Sequence, residues 1–455
     1  MKHHFEIQSL KLEIAESKAN YEKSFGEFDF SLNYNFSYNQ QDTPVSSSLD
    51  TEGNTSSVLT KTTSQSLSLS KFFKSGTQIT LPYNLNIIDS ESTYRTIRKS
   101  YEPTFSINLK QPLLRPFFSG YYQKKLQKAL IKYQSDQSKK DYQASEKLYT
   151  AIEKTFQYLE AKKSYSIREK GYLTAKKNLD FVKAKRKVGS ASKLDLLDAR
   201  TNNSKSYQRF LEQEILVHKL KNELKSMIDK DIEEELSLSE EGLIASDFSC
   251  KCDPSNMLKV AIENRGDYLA QKLNLDLKTI QEKFARADRL PKVDFNLDYS
   301  SRAIKATTSE ANDELAALKF PTYKAAVTVS YNLLQYAEAG AEKASILKTK
   351  QDQIKLDQLY RDLDMEIKVA IKNFQVQKVV VDSLKDSLDA EKIKWDFYTK
   401  KFKQGQISAF DYAKFSEDKE NSELEYFKGL FKLERDYYKL FLVKGTLFKE
   451  FFTQT

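Results

Sequence analysis

The chain has 455 residues, of which 40% are hydrophobic and 30% charged, and its mean hydropathy is −0.62. The net charge is +9, but basic and acidic residues are interspersed, so charge gives only weak support to nucleic-acid binding. No run of about 18 apolar residues occurs, which excludes a transmembrane helix, and the small numbers of glycine (12) and proline (8) favour few, long elements.

The first half of the chain opens with a predicted helix at 2–25 and a strand at 28–39. In that strand, FDFSLNYNFSYN, apolar and polar residues alternate without exception, so one face is aromatic and the other is polar. A polar loop is predicted at 41–63. The remaining elements predicted in this half are strands at 66–72, 78–88 and 104–111, helices at 121–187 and 193–229, and an acidic segment within 231–254.

The second half repeats this order. A helix at 255–290 precedes strands at 293–300 and 323–333, and a long helix at 337–403 leads through a glycine turn to a helix at 408–442 and a C-terminal tail. We therefore predict two internal repeats, 1–254 and 255–455.

The start of the chain has no apolar segment of the kind found in a signal peptide. When the two repeats are aligned with an offset of 263 residues, Phe5 corresponds to Tyr268 and residue 1 corresponds to Asn264. The start of the second repeat's helix, 255–263, therefore has no counterpart in the first repeat. We expect a mature or late-started form, whose lack of a signal peptide is weak evidence for the cytoplasm. Cys250 and Cys252 are separated by one residue, a spacing that makes a poor structural disulfide.

Five motifs in this order resemble the TolC family of outer-membrane efflux proteins. They are QPLL at 111–114, KVGSASKLDLLDA at 187–199, NRGDYLAQ at 264–271, RLPKVDFNLDYS at 289–300 and KQGQISAFDYA at 403–413. The resemblance covers almost the whole chain.

The resemblance implies a mixed α and β membrane protein. Three copies would share one β-barrel in the outer membrane of a Gram-negative bacterium, and a long α-helical duct with an equatorial belt (231–254 here) would place most of the mass in the periplasm. It also implies a passive exit channel of a tripartite efflux system, opened at its helical tips by a periplasmic adaptor and an inner-membrane transporter. Neither enzymatic activity nor a cofactor is implied.

One feature departs from the family, which usually has two strands in each half. The first half here offers four, because 66–88 forms an additional hairpin. That hairpin would either widen the barrel wall or project from the outer face, and the sequence leaves both possibilities open.

The two predicted helix-hairpin turns carry the most informative polar residues. Gly189 and Gly405 permit tight bends, and Ser192 and Ser408 are placed to cap the helices that follow. Acidic residues in the first turns after the bends have an ordinary explanation in the helix dipole. Basic residues before the bends, including Lys187 and Lys403, have the same explanation, and the resemblance implies that these tips also dock an adaptor.

The resemblance further implies a periplasmic gate at these turns. Asp411 would form a ring around the aperture, with Asp195 as its counterpart in the first repeat. The gate residues predicted in this way are Asp411, Asp195, Asp198, Phe402 and Lys414. In the family, polar side chains can link the two hairpins, and this chain departs from that pattern at three positions. Phe402 has no hydroxyl group where the family can have a linking tyrosine, Ile407 stands where it can have a basic residue, and Lys414 stands where it can have a second acid.

No catalytic motif is visible, and His3, His4 and His218 lack the clustering of a metal site. Two alternatives stay open. The chain could be the outer-membrane outlet of a type I protein secretion system, or a soluble coiled-coil interaction protein with a small β-domain.

Overall fold

The computed structural model describes residues 5–44, 57–92, 95–114, 120–227 and 252–448. The chain forms two compact units, each assembled from several segments. The first comprises Met1–Ala15, Ser135–Lys272 and Lys355–Thr455, and the second comprises Glu16–Gln134 and Leu273–Ile354. Both units draw on both predicted repeats, so they do not follow a division after residue 254, and the two-repeat organisation stays a prediction.

The elements occur in the following order along the chain. The helices are α1 (Phe5–Lys23), α2 (Tyr121–Lys187), α3 (Lys193–Met227), α4 (Pro254–Asn264), α5 (Gly266–Ala287), α6 (Thr308–Ala316), α7 (Tyr336–Lys403) and α8 (Ala409–Lys444). The strands are β1 (Phe30–Pro44), β2 (Ser57–Phe72), β3 (Gln78–Ser90), β4 (Lys99–Pro112), β5 (Lys292–Arg302) and β6 (Pro321–Ser330). The acidic segment predicted within 231–254 lies outside the described residues, which resume at residue 252.

The strands form one antiparallel sheet in the order β1-β2-β3-β4-β5-β6. Their register places apolar residues beside apolar residues. Tyr34 pairs with Leu67, which pairs with Tyr83, which pairs with Phe105. Because side chains alternate across a strand, this register collects most of the apolar side chains on one face and most of the Ser, Thr and Asn side chains on the other.

The apolar face is exposed at both edge strands of the sheet, β1 and β6. On β1 the exposed fractions are 67% for Leu32 and 63% for Tyr34, and on β6 they are 75% for Tyr323 and 61% for Val327. An apolar surface of this extent marks a site of contact with a partner or with lipid.

The additional hairpin lies inside the sheet. β2 pairs with β1 from Ser57 to Lys71, and β3 pairs with β4 on its other side. The loop predicted at 41–63 is wrong in part, because β1 extends to Pro44 and β2 begins at Ser57, with those two residues directly paired. Ladder hydrogen bonds extend the strands into a segment whose side chains are too polar to predict a strand.

Two further expectations differ from the structure near the sheet. Phe28 lies in a 3-10 turn (Gly26–Phe28) and is buried, with its ring stacked on Phe72 at a centroid distance of 6.0 Å. The loop predicted between β5 and β6 contains α6, whose N-cap Thr307 accepts a hydrogen bond from the Glu310 amide. A Thr-x-x-Glu sequence is a capping-box signal that would have revealed this helix.

The single helix predicted at 255–290 is wrong, because it divides at Arg265 into α4 and α5. The backbone of Arg265 is extended (φ −79°, ψ 113°), and its side chain is buried. The guanidinium donates to Asp267 at 3.0 Å, to Glu366 at 2.5 Å and to the Tyr142 hydroxyl at 2.9 Å. These charge-assisted bonds fix the buried Arg265 side chain at the break between the two helices.

The helical core of the first unit is built from α4, α7 and α8. Met257 and Ala261 of α4 pack with Ile367 and Phe374 of α7 and with Leu433 of α8. No described helix is both long enough and apolar enough to cross a membrane.

Cys252 is disulfide-bonded, contrary to the expectation from the spacing of the two cysteines, and Cys250 lies outside the described residues.

The contact between α2 and the start of α5 gives a stability prediction. A Cβ atom at Gly266 would lie 2.0 Å from the backbone carbonyl oxygen of Ser138, whereas one at Gly340 in α7 would meet nothing within 4 Å. We expect Gly266→Ala to lower the apparent melting temperature strongly, because two backbones must separate. Gly340→Ala should leave it unchanged or raise stability by about 0.5–1 kcal/mol. Thermal unfolding followed by circular dichroism measures both, and equal melting temperatures would contradict the close approach.

Candidate functional site

The two helix-hairpin turns of the first unit have the same backbone design. Gly189 follows α2 with φ 76°, and Gly405 follows α7 with φ 77°. The amide of Ser190 donates to the Lys185 carbonyl at 2.8 Å, and the amide of Gln406 donates to the Lys401 carbonyl at 3.0 Å. This is the Schellman arrangement, in which a left-handed glycine ends the helix.

A serine and an aspartate begin the next helix in each turn. The Ser192 hydroxyl accepts the Asp195 amide at 3.0 Å and donates to the Asp195 carboxylate at 2.8 Å. Ser408 and Asp411 do the same at 3.0 and 2.7 Å. The predicted capping role of both serines is therefore seen. In the first turn the Ser192 amide also donates to the Asp195 carboxylate at 2.9 Å, which completes a reciprocal capping box.

The acids of the first turn differ in their surroundings from Asp411. The backbone amide and the hydroxyl of Ser192 hold the pKa of Asp195 below its usual value. Its stabilising contribution is therefore present above the ordinary pKa of an aspartate and is lost as the pH falls through the lowered value. Asp195 and Asp198 are half-buried, whereas the residue Asp411 is exposed.

Phe402 lies in an apolar cluster that joins the two hairpins. It is 8% exposed, and its ring stacks on Tyr412 at 4.3 Å and contacts Phe181 edge-on at 5.4 Å. The cluster comprises Leu179, Val182 and Ala199 of the first hairpin and Phe402, Ala409 and Tyr412 of the second, with Ala191, Leu196 and Ile407 packed against it. The hairpins are thus joined by packing, and Ile407 belongs to that contact.

A lysine lies over the edge of this cluster. The Lys185 Nζ is 4.7 Å from the centroid of the Phe181 ring and 5.9 Å from that of Phe402. A cation over an aromatic face is attracted by the ring's electron density. Sequence reasoning missed Lys185 and Tyr412 as contacts between the hairpins, although their helical spacing from Phe181 and Ala409 was a usable signal.

The predicted gate and docking residues occupy three kinds of position. Phe402 is buried in the cluster. Asp411 and Lys414 are exposed on the second hairpin. Lys187 and Lys403, the last residues of α2 and α7, are exposed beside further basic residues, namely Lys183, Arg186 and Lys400. The described part of the chain contains no group of three or more His, Cys, Asp or Glu side chains that could hold a metal ion.

The fold is similar to that of solved membrane proteins. A membrane protein from Pseudomonas aeruginosa matches with a TM-score of 0.73 and 13% identity, over 97% of this chain and 90% of that one. The open state of the Neisseria gonorrhoeae MtrE outer membrane channel matches at 0.71 and 13%, over 98% and 86%. The Campylobacter jejuni CmeC outer membrane channel matches at 0.69 and 12%, over 98% and 84%.

Neither a family model nor a curated protein matches the sequence. At these identities the likeness concerns the fold. The chain has the fold of TolC-family outer-membrane channels, which confirms the family likeness predicted from the five motifs.

The apolar cluster predicts that Phe402 holds the two hairpins together. Phe402→Ala would leave a cavity between them and should reduce the free energy of unfolding by about 3–5 kcal/mol. The matched control is Phe410→Ala, because Phe410 is on the same hairpin but 60% exposed. We expect that change to stay within about 0.5 kcal/mol. Chemical denaturation compares the two variants, and equal losses would contradict a packing role for Phe402.

Proposed function

We propose that the chain is one subunit of a passive exit channel in the outer membrane of a Gram-negative bacterium. Three copies close their sheets into a β-barrel, and their helices form a duct in the periplasm. A periplasmic adaptor and an inner-membrane transporter act on the helical turns and supply the energy. The chain itself catalyses no reaction and needs no cofactor.

The apolar face of the sheet carries this proposal. In the described residues it continues through all six strands, with Leu32, Leu69, Leu81, Ile107 and Tyr299 among its members. Strands whose side chains alternate between an apolar and a polar face are typical of a membrane-spanning barrel. A soluble β-domain would instead bury such a face, so the exposure of β1 and β6 disfavours the soluble alternative.

The edges of the sheet support assembly with further copies. β1 and β6 each have one neighbour in the described sheet. Each edge therefore presents backbone amide and carbonyl groups that need partners, and lipid offers none. Pairing of β1 with β6 of another copy satisfies both edges at once and closes the barrel.

The helical turns support a gate and a docking surface. Two rigid turns of the same design are held together by the Phe402 cluster, so they are able to move as one body. Exposed basic side chains at the ends of α2 and α7 offer a surface for an acidic partner. The exposed Asp411 is available to line an aperture formed by several copies.

The mass of the purified protein in detergent and its conductance in a planar bilayer test the proposed channel. The protein in detergent should have the mass of a trimer, and it should conduct ions after reconstitution. Adjacent residues of β4 provide matched variants, since Ile107 belongs to the apolar face and Asn108 to the polar face. Ile107→Lys should abolish insertion, because lysine in mid-bilayer costs about 2–4 kcal/mol per copy. Asn108→Lys should insert, conduct and shift the ion selectivity toward anions.

A monomer that needs no detergent and shows no conductance would overturn the channel. Equal insertion of the two lysine variants would overturn the assignment of the two faces.

A second test concerns the gate. Asp411→Ala should raise the conductance or weaken block by cations, because it removes a ring of carboxylates from the aperture. Ser408→Ala is the control, since it removes the capping hydrogen bonds of Asp411 but keeps the Asp411 carboxylate. Single-channel recordings compare the variants. Equal effects of both would assign Asp411 to helix capping alone.

A further inference from the structure

The β2–β3 hairpin is an integral part of the sheet. It lies between β1 and β4 and pairs with both, so the described sheet is continuous only through this hairpin. Thirteen residue pairs join β2 to β3, from Thr60 with Ser90 to Phe72 with Gln78. Both strands exceed the roughly 9–11 residues that cross a bilayer.

The turn of the hairpin is fixed at the same end of the sheet as the end of β4. A Cβ atom at Gly76 would lie 2.8 Å from the ring of Tyr122 and 2.9 Å from Pro112, and the Thr77 hydroxyl donates to Gln111. The ring of Phe72 also meets that of Tyr122 at 4.6 Å. A hairpin that projected away from the sheet would have no reason to make these contacts.

The faces of the hairpin continue those of its neighbours. Leu67 lies between Tyr34 and Tyr83, and Ser66 lies between Asn35 and Asn84. The hairpin therefore has one polar face and one mainly apolar face, on which β2 also places Gln65 and Lys71, in register with the rest of the sheet.

We infer that this hairpin forms part of the channel wall, so that three copies close an eighteen-stranded barrel with a wider outlet than four strands per chain would give. The inference rests on the proposed three-chain channel. With strands about 4.8 Å apart and tilted by about 40°, eighteen strands give a backbone diameter of about 36 Å, and twelve give about 24 Å. Barrels of the larger size leave an aqueous channel.

The added wall also has an uncharged lining. The polar face of the hairpin presents hydroxyl and amide groups, such as those of Ser64, Ser68 and Asn86. The charges on the polar face lie on β4–β6, and some form ion pairs there, for example Lys110 with Asp294 at 3.3 Å. The hairpin thus enlarges the outlet without adding charge selectivity, which suits cargo of larger cross-section and of either sign.

Two variants with one introduced cysteine each test the position of the hairpin. Ser66→Cys and Leu67→Cys are adjacent, and they point to opposite faces. In reconstituted channels a membrane-impermeant, charged thiol reagent should modify Ser66→Cys from the lumen, and lipid should protect Leu67→Cys. Modification of both cysteines at equal rates, or of Leu67→Cys alone, would show that the hairpin lies outside the wall.

Excision of 57–90 tests the width. It joins β1 to β4, which run antiparallel because directions alternate through the sheet. End-on electron microscopy of the detergent-solubilised protein should show a ring near 36 Å across for the full chain and near 24 Å for the excised chain. The same diameter for both chains would overturn the inference about the hairpin but would leave the proposed three-chain channel unaffected. The absence of any ring from the full chain would instead count against the three-chain channel itself.

If the excised chain fails to assemble, the two cysteine variants and the diameter of the full chain still decide the question. A full-chain ring near 24 Å would overturn the inference by itself.

Discussion

The register of the sheet is the constraint on which the rest of the structure depends. Each strand alternates between apolar and polar side chains, and a slip of one residue would exchange the two faces of that strand. Pairing along the sheet keeps Leu32, Leu69 and Leu81 in one row and Tyr34, Leu67 and Tyr83 in the next. The result is a mainly apolar face backed by a mainly polar one. A bilayer offers no partners to backbone groups, so the unpaired edges of β1 and β6 are the reason for the proposed assembly with further copies.

The helical turns meet a different requirement, which is to end one long helix and begin the next within five residues. Glycine in the left-handed region and a serine–aspartate box solve this problem twice with nearly the same distances. Asp195 and Asp411 therefore have a structural role that is independent of any gate. What separates the two turns is their surroundings, since Asp411 is exposed and Asp195 is half-buried. A role in an aperture would be an addition to the capping role.

The contact between the hairpins is apolar at its centre. Phe402 stacks on Tyr412 where the family resemblance suggested a polar link, and Ile407 packs against the same cluster. Separation of the hairpins would expose this surface to water, at a cost of about 25 cal/mol for each Å² of apolar area. That cost does not depend on pH, whereas the strength of a latch made of charged groups would.

The sequence by itself determined the features that depend on local periodicity and local capping. Alternation revealed the strands, the lack of proline and near lack of glycine revealed α2 and α7, and the Gly-x-x-Ser-x-x-Asp pattern revealed both turns. Only the tertiary structure decided the features that depend on distant partners. Phe28 leaves its alternating pattern to stack on Phe72, and Arg265 breaks a helix to reach Glu366 and Tyr142. The β2–β3 hairpin lies inside the sheet because β1 and β4 pair with it from both sides. Strand pairing joins residues far apart in the chain, so the pattern within one strand cannot specify its neighbours.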